Sequence, residues 1–185
     1  IGPADRKVGE SQEMTVDGEH IVASVLAKAN QHVTSRVRLQ KAFYILDQLG
    51  LKSGFDYEYY HYGPYSRDLD LATSDAKAFD LLEEDFGYRK SDGARYSIFK
   101  PKVAARAEVF TSLAENRVAS LMKTFVETNV TVLELAATID WLWRFEKIKD
   151  WKSEIKKRKP VKAKDERLNQ AVDLLTSLEL APPVS

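Results

Sequence analysis

Three side chains of the kinds that build hydrolytic sites lie within eight residues of this chain: His61, Ser66 and Asp68. Their setting argues against nucleophilic catalysis. A triad needs its base in reach of the nucleophile and a third group to orient the base. Here His61 falls in a strand, while Ser66 opens a helix across the Gly63-Pro64 turn. A serine at a helix start has its hydroxyl occupied as an N-cap, and no nucleophile-elbow pattern surrounds it. The other two histidines, His20 and His32, are too distant in sequence for a helical metal site. With no cysteine, thiol catalysis, cysteine-ligated zinc and iron–sulfur clusters are excluded. Neither a phosphate-binding glycine loop nor a paired-carboxylate motif is visible. The expectation is a protein without catalytic residues, metal or cofactor.

The same stretch holds five of the eight tyrosines within nine positions: Tyr57, Tyr59, Tyr60, Tyr62 and Tyr65. Two readings are open. Tyrosines on a strand can pack a core face with their hydroxyls at its edge, and tyrosine is also enriched in binding hot spots. On the second reading the partner-binding residues are Tyr60, His61, Tyr62, Tyr65, Arg67 and Asp68.

The elements that position these residues follow from periodicity. Residues 1–16 are polar and glycine-containing and read as a flexible arm. A helix is expected from Asp17 to about Val33, and a second from Ser35 to Leu49 with Gly50 at its C-terminus. Arg38, Lys41 and Gln48 are expected to face away from the core. From Phe55 to Tyr62 the period changes to two, with Phe55, Tyr57, Tyr59 and His61 sharing a face. Gly63-Pro64 should end this strand, and Ser66 should cap a helix reaching about Asp85.

Two short strands follow, at about residues 86–90 and 94–99, joined by a Ser91-Asp92-Gly93 turn. Further helices are expected over residues 103–125, from Thr131 to about Phe145 behind a Thr131/Glu134 capping box, over residues 147–157, and from about Asp165. The chain therefore reads as α+β and mostly α. A winged-helix-like part over residues 17–102 carries a small antiparallel sheet built from strand 55–62 and the hairpin. A helical part over residues 103–180 packs on it as a cap or a homodimerisation half.

A winged-helix order invites a DNA-binding reading, and charge tests it. Residues 66–85 contain seven acids (Asp68, Asp70, Asp75, Asp80, Glu83, Glu84 and Asp85) against Arg67 and Lys77. Such a segment is repelled by phosphates. Arg89, Lys90 and Arg95 on the hairpin, and the run Lys156, Lys157, Arg158 and Lys159, supply an alternative nucleic-acid surface. The plainer reading of the run is a solvated helix end whose cations suit the helix dipole. Net charge is zero, so no global field draws the chain to nucleic acid. The apolar runs are far shorter than a membrane span. A soluble, cytoplasmic protein without membrane contact is expected.

Leu39-Gln40-Lys41-Ala42-Phe43-Tyr44-Ile45-Leu46, followed by His61-Tyr62-Gly63-Pro64-Tyr65-Ser66-Arg67-Asp68-Leu69, resembles the YwgA-like bacterial and archaeal proteins. It is more distantly similar to the Panacea (SocA-like) antitoxin domain, where a "LQKLLYL" helix precedes a "YGP" turn and another helix. Ile155 to Pro160 and the helix after it are similar to the YwgA-like ending. The resemblance implies a non-enzymatic, largely uncharacterised bacterial or phage-associated family. It also implies that such a protein works by direct contact with another protein, a toxin or a proteolytic client. No catalytic residue comes with it.

Overall fold

The computed structural model describes residues 15–184; the arm expected over residues 1–16 falls, apart from its last two residues, outside them. The fold is α+β and mostly helical. Helix α1, Gly18–Ala27, is shorter than expected. The β-branched pair Val33–Thr34 leaves the helix to form strand β1 instead. Helix α2, Arg36–Gln48, begins at Ser35, whose hydroxyl accepts from the Arg38 amide. It ends in a Schellman motif. Gly50, at φ +106°, lets the Leu51 amide return to the Leu46 carbonyl at 3.0 Å.

Strands β2, Glu58–Tyr60, and β3, Gly63–Tyr65, pair with each other and form a separate two-stranded ladder. Gly63-Pro64 thus lies inside a strand rather than ending one. Ser66 caps helix α3, Arg67–Ala78, as expected, by accepting from the Leu69 amide. Helix α3 stops early, because Asp80 takes φ 59° and the Leu81 amide closes on the Ala76 carbonyl. Glu83, Glu84 and Asp85 therefore sit on strand β4, Leu82–Tyr88, and not on the acidic helix.

Strand β4 pairs with β5, Arg95–Pro101, over seven residues each, a longer hairpin than its sequence suggests. The third strand of this sheet is β1, in the order β1-β5-β4, with Val33 opposite Phe99. The expected partner, residues 55–62, is not part of it. Strand β1 takes that edge, with Thr34 opposite Ile98 and both Val33 and Phe99 buried.

The single helix expected over residues 103–125 is split. A 3-10 turn, Ala107–Phe110, buries Val109 and Phe110, and helix α4, Glu115–Glu127, follows. Thr111 and Ser112 between them favour turns over helix interiors. Helix α5, Val130–Arg144, is capped by Asn129, whose Oδ1 accepts from Thr131 and Val132; the capping box does not form. Its would-be glutamate, Glu134, is drawn into the core. Helices α6, Trp151–Arg158, and α7, Asp165–Ser177, complete the described chain. Helix α5 is buried all round from Val132 to Asp140, and one apolar cluster runs through both parts of the chain from Ile21 to Leu180.

Candidate partner-binding corner

Eight consecutive residues of α2, Leu39 to Leu46, are buried. A helix buried on every side must pair its polar residues internally. Gln40 does so with the backbone that opens α3. Its Nε2 donates to the Ser66 carbonyl at 2.9 Å, and its Oε1 accepts from the Ser66 amide at 2.8 Å. Lys41, 1% exposed, donates from Nζ to the Pro64 carbonyl at 2.6 Å. One turn on, the Tyr44 hydroxyl donates to Asp140 of α5 at 2.7 Å. Asp47 accepts from the Ser53 amide, the Ser53 hydroxyl and the Tyr57 hydroxyl. The two sequence motifs, Leu39–Leu46 and His61–Leu69, therefore meet through side-chain-to-backbone hydrogen bonds.

The expectation that Lys41 and Gln48 face outward is overturned. Lys41 lies under β3, and Gln48 donates to Asp140 at 2.8 Å. Arg38 turns to the end of α4 and donates to the Phe125 carbonyl at 2.6 Å. Burial pushes the Lys41 ammonium down to about 7; Glu134 opposes the shift, and Lys159 and Lys162 add to it. Glu134 is itself buried, and its carboxylate accepts from Lys159 at 2.8 Å and from Lys162 at 2.9 Å. Burial also raises Asp47 against its three donors, and raises Tyr57, which the Asp47 carboxylate reinforces.

Above this base the chain alternates as expected: Phe55, Tyr57 and Tyr59 are inward, while Asp56, Glu58 and Tyr60 are outward. His61 breaks the pattern and sits exposed in the turn between β2 and β3, its ring 4.4 Å from that of Tyr60. Gly63 holds φ +91°, and a side chain there would clash with Thr138 Oγ1 on α5. The close approach of β3 to α5 requires this glycine. Tyr60 and Tyr62 remain 48% and 52% exposed. A shallow hollow of about 440 Å³ lies on one side of this tip, lined by Tyr59, Tyr60, His61 and Arg158. A smaller one of about 210 Å³ lies on the other, between α2 and the two strands.

Tyr65 donates its hydroxyl to Asp70, which pushes the phenol up to about 12. Arg67 is exposed and bonds Glu58 at 3.1 Å. Asp68 accepts from the Asp56 amide at 2.9 Å. Ser66 is fully buried as a cap. His61, Ser66 and Asp68 thus have separate partners and make no relay. Among the described residues, no three histidine or carboxylate side chains gather as metal ligands. No helix there is long and apolar enough to cross a membrane.

No family model matches the chain, and no curated protein matches it.

The residues of the alternative surface are largely engaged. Lys159 is buried on Glu134, Lys156 pairs with Asp165 at 2.8 Å, and Arg158 is bidentate on Glu146 and bonds Glu154. These bonds raise the Arg158 guanidinium above its ordinary value. Lys156 and Lys157 are exposed in the last turn of α6, as the plain solvated-helix-end reading expects, whereas Lys159 is not. On the hairpin, Arg89 pairs with Asp92, Arg95 lies over the Phe86 ring at 4.3 Å, and Lys90 is exposed. Glu84 has a side chain only 3% exposed and holds Arg36 and Lys77.

Sequence reasoning missed Gln40, Lys41, Glu134 and Asp140. The signal for the last two was available: both interrupt the apolar face of α5, and a carboxylate in such a run must find cations or donors.

Proposed function

We propose that this chain is a non-enzymatic protein-interaction module, an antitoxin-like or adaptor-like regulator of the kind that the YwgA-like and Panacea-like motifs imply. The observation that carries this reading is the exposed Tyr60-His61-Tyr62 tip. It stands between two hollows and is fixed from below by the Gln40, Lys41 and Gly63 contacts. A recognition edge held in place before binding loses little entropy on association, and exposed tyrosines suit a hot spot. The partner is another protein, a toxin in the antitoxin-like case. The face comprises Tyr60, His61, Tyr62, Tyr65, Arg67 and Asp68. Capture of a specific partner should be lost in Tyr65→Ala and Arg67→Ala while circular dichroism and thermal melting stay unchanged. Retained capture by both variants moves the site elsewhere.

One observation favours a second reading. Phe86 and Tyr88 are exposed on the β4–β5 hairpin beside Arg89, Lys90 and Arg95, and rings with interleaved cations suit nucleic acid. Salt-dependent retardation of DNA or RNA that weakens in Lys90→Ala with Arg95→Ala supports it; no retardation at low salt eliminates it.

A further inference from the structure

The smaller hollow has a composition that the motifs do not account for. Its walls are the rings of Tyr60, Tyr62 and Tyr65, with Val37, Gln40 and Lys41 of α2 behind them. Arg36 and Asp70 stand at its margin. About 210 Å³ is below the roughly 300 Å³ at which small-molecule pockets begin, a size for one side chain.

The charges at this hollow are unequal in their pairing. Arg36 is held by both carboxylate oxygens of Glu84, at 2.7 and 2.8 Å. The Lys41 ammonium is turned to the Pro64 carbonyl. Asp70 accepts only from neutral donors, the Tyr65 hydroxyl and Gln40 Nε2, and forms no ion pair among the described residues. An unmatched carboxylate beside three aromatic rings is the composition that recognises organic cations. The corner already shows that its rings take cations on their faces. Lys162 Nζ lies 4.7 Å from the Tyr62 centroid, and the Arg158 guanidinium lies 4.8 Å from that of Tyr59.

We infer that this hollow seats a cationic side chain, a lysine or arginine, projecting from the partner protein, with its charge against Asp70 and its stem against the tyrosine rings, of which Tyr60 and Tyr65 pack on each other at 5.4 Å. The inference rests on the partner-binding reading of the corner and specifies its chemistry. The acidic residues nearby, Asp68 and Asp70 of α3 with Asp56 before it, would favour approach of a basic segment.

The test is a nuclear magnetic resonance titration of the full chain with Nα-acetyl-lysine methylamide, and in parallel with the norleucine analogue, which has the stem without the ammonium. The lysine probe should shift the Tyr60, Tyr62 and Tyr65 ring resonances saturably. The norleucine probe should bind at least about fivefold more weakly, the ratio a cation–π contact of about 1 kcal/mol supports. Asp70→Asn should remove most of that preference, and so should Tyr62→Leu, which changes an exposed ring and leaves the fold intact. Equal binding of the two probes makes the hollow a plain apolar socket and overturns the inference, as does no shift with either probe. Both failures leave the partner-binding reading standing if Arg67→Ala still abolishes capture. Retained capture in both Arg67→Ala and Tyr65→Ala, with lysine-selective binding at the hollow, defeats the larger reading of the corner instead.

Discussion

Two tyrosine-bearing hairpins project from this molecule, and they are held in different ways. The β4–β5 hairpin has seven residues in each strand, and its outer half runs past the core with Phe86, Tyr88 and Tyr96 exposed. Three ion pairs at or beside it, Arg89–Asp92, Lys100–Asp85 and Lys102–Asp80, lie in solvent, and only Glu84 at its base is buried, on Arg36 and Lys77. The β2–β3 hairpin has only three residues in each strand, too few to be stable alone. It is fixed by Lys41 under Pro64, by Gln40 bracketing Ser66, and by Gly63 pressed onto α5. A short ladder with buried polar anchors makes a firmer platform than a long ladder with surface ion pairs, because exposed pairs contribute little and buried ones are costly to break.

The strongest way to break this comparison is at the base of the corner. Glu134→Gln leaves Lys159 buried without its carboxylate, and should cost about 3–5 kcal/mol in urea denaturation. A loss below about 1 kcal/mol would mean that the buried cluster does not support the corner. Gly63→Ala combines positive-φ strain with a clash against Thr138 and should cost about 2–4 kcal/mol. In a Thr138→Ala background the clash disappears and the strain remains, so the penalty should fall by roughly half in a double-mutant cycle. Full additivity would place the cost in the backbone alone.

Lys41 sharpens the comparison through pH. Its folded-state value, about 7, lies below the ordinary lysine value of 10.5, so the unfolded chain binds more protons between the two. The penalty for burying the charge is complete below about pH 7 and is relieved as pH rises toward 10.5, so stability rises across that window. Relative to Lys41→Met, the wild type should gain up to about 1.4 kcal/mol per pH unit there, measured by denaturation at a series of pH values. Parallel pH curves for the two proteins would show that Lys41 keeps an ordinary ammonium. The smallest effect belongs to the other hairpin. Lys100→Ala and Lys102→Ala should leave the melting temperature unchanged within error, and a clear drop for either would erase the contrast.

Much of the architecture was legible because periodicity reports burial. The helix over residues 36–48, its Gly50 terminus, the Ser66 cap and the alternation from Phe55 to Tyr60 all follow from local patterns. The β4–β5 pairing was legible from the Asp92-Gly93 turn, but that of β1 was not, because Val33–Thr34 is two residues long and pairs with Ile98 and Phe99, far away in sequence. The base of the corner was hidden for the same reason. A lysine on a helix reads as solvent-facing until another segment, here β3, covers it with a carbonyl. The tyrosine tip was visible in composition alone, whereas the hollow beside it depends on Asp70 being brought to Tyr65 and Gln40 by the course of α3.

The Tyr60–Tyr62 tip is held from below by Lys41, Gln40 and Gly63, which should fix its shape in the free protein. Hydrogen–deuterium exchange of the free protein, followed by mass spectrometry of peptides spanning residues 57–66 and 86–97, tests it most directly. The paired amides of the first peptide should exchange slowly, and faster in Lys41→Met, while the tip of the second should exchange faster than the first. Equal, rapid exchange in both peptides would contradict it.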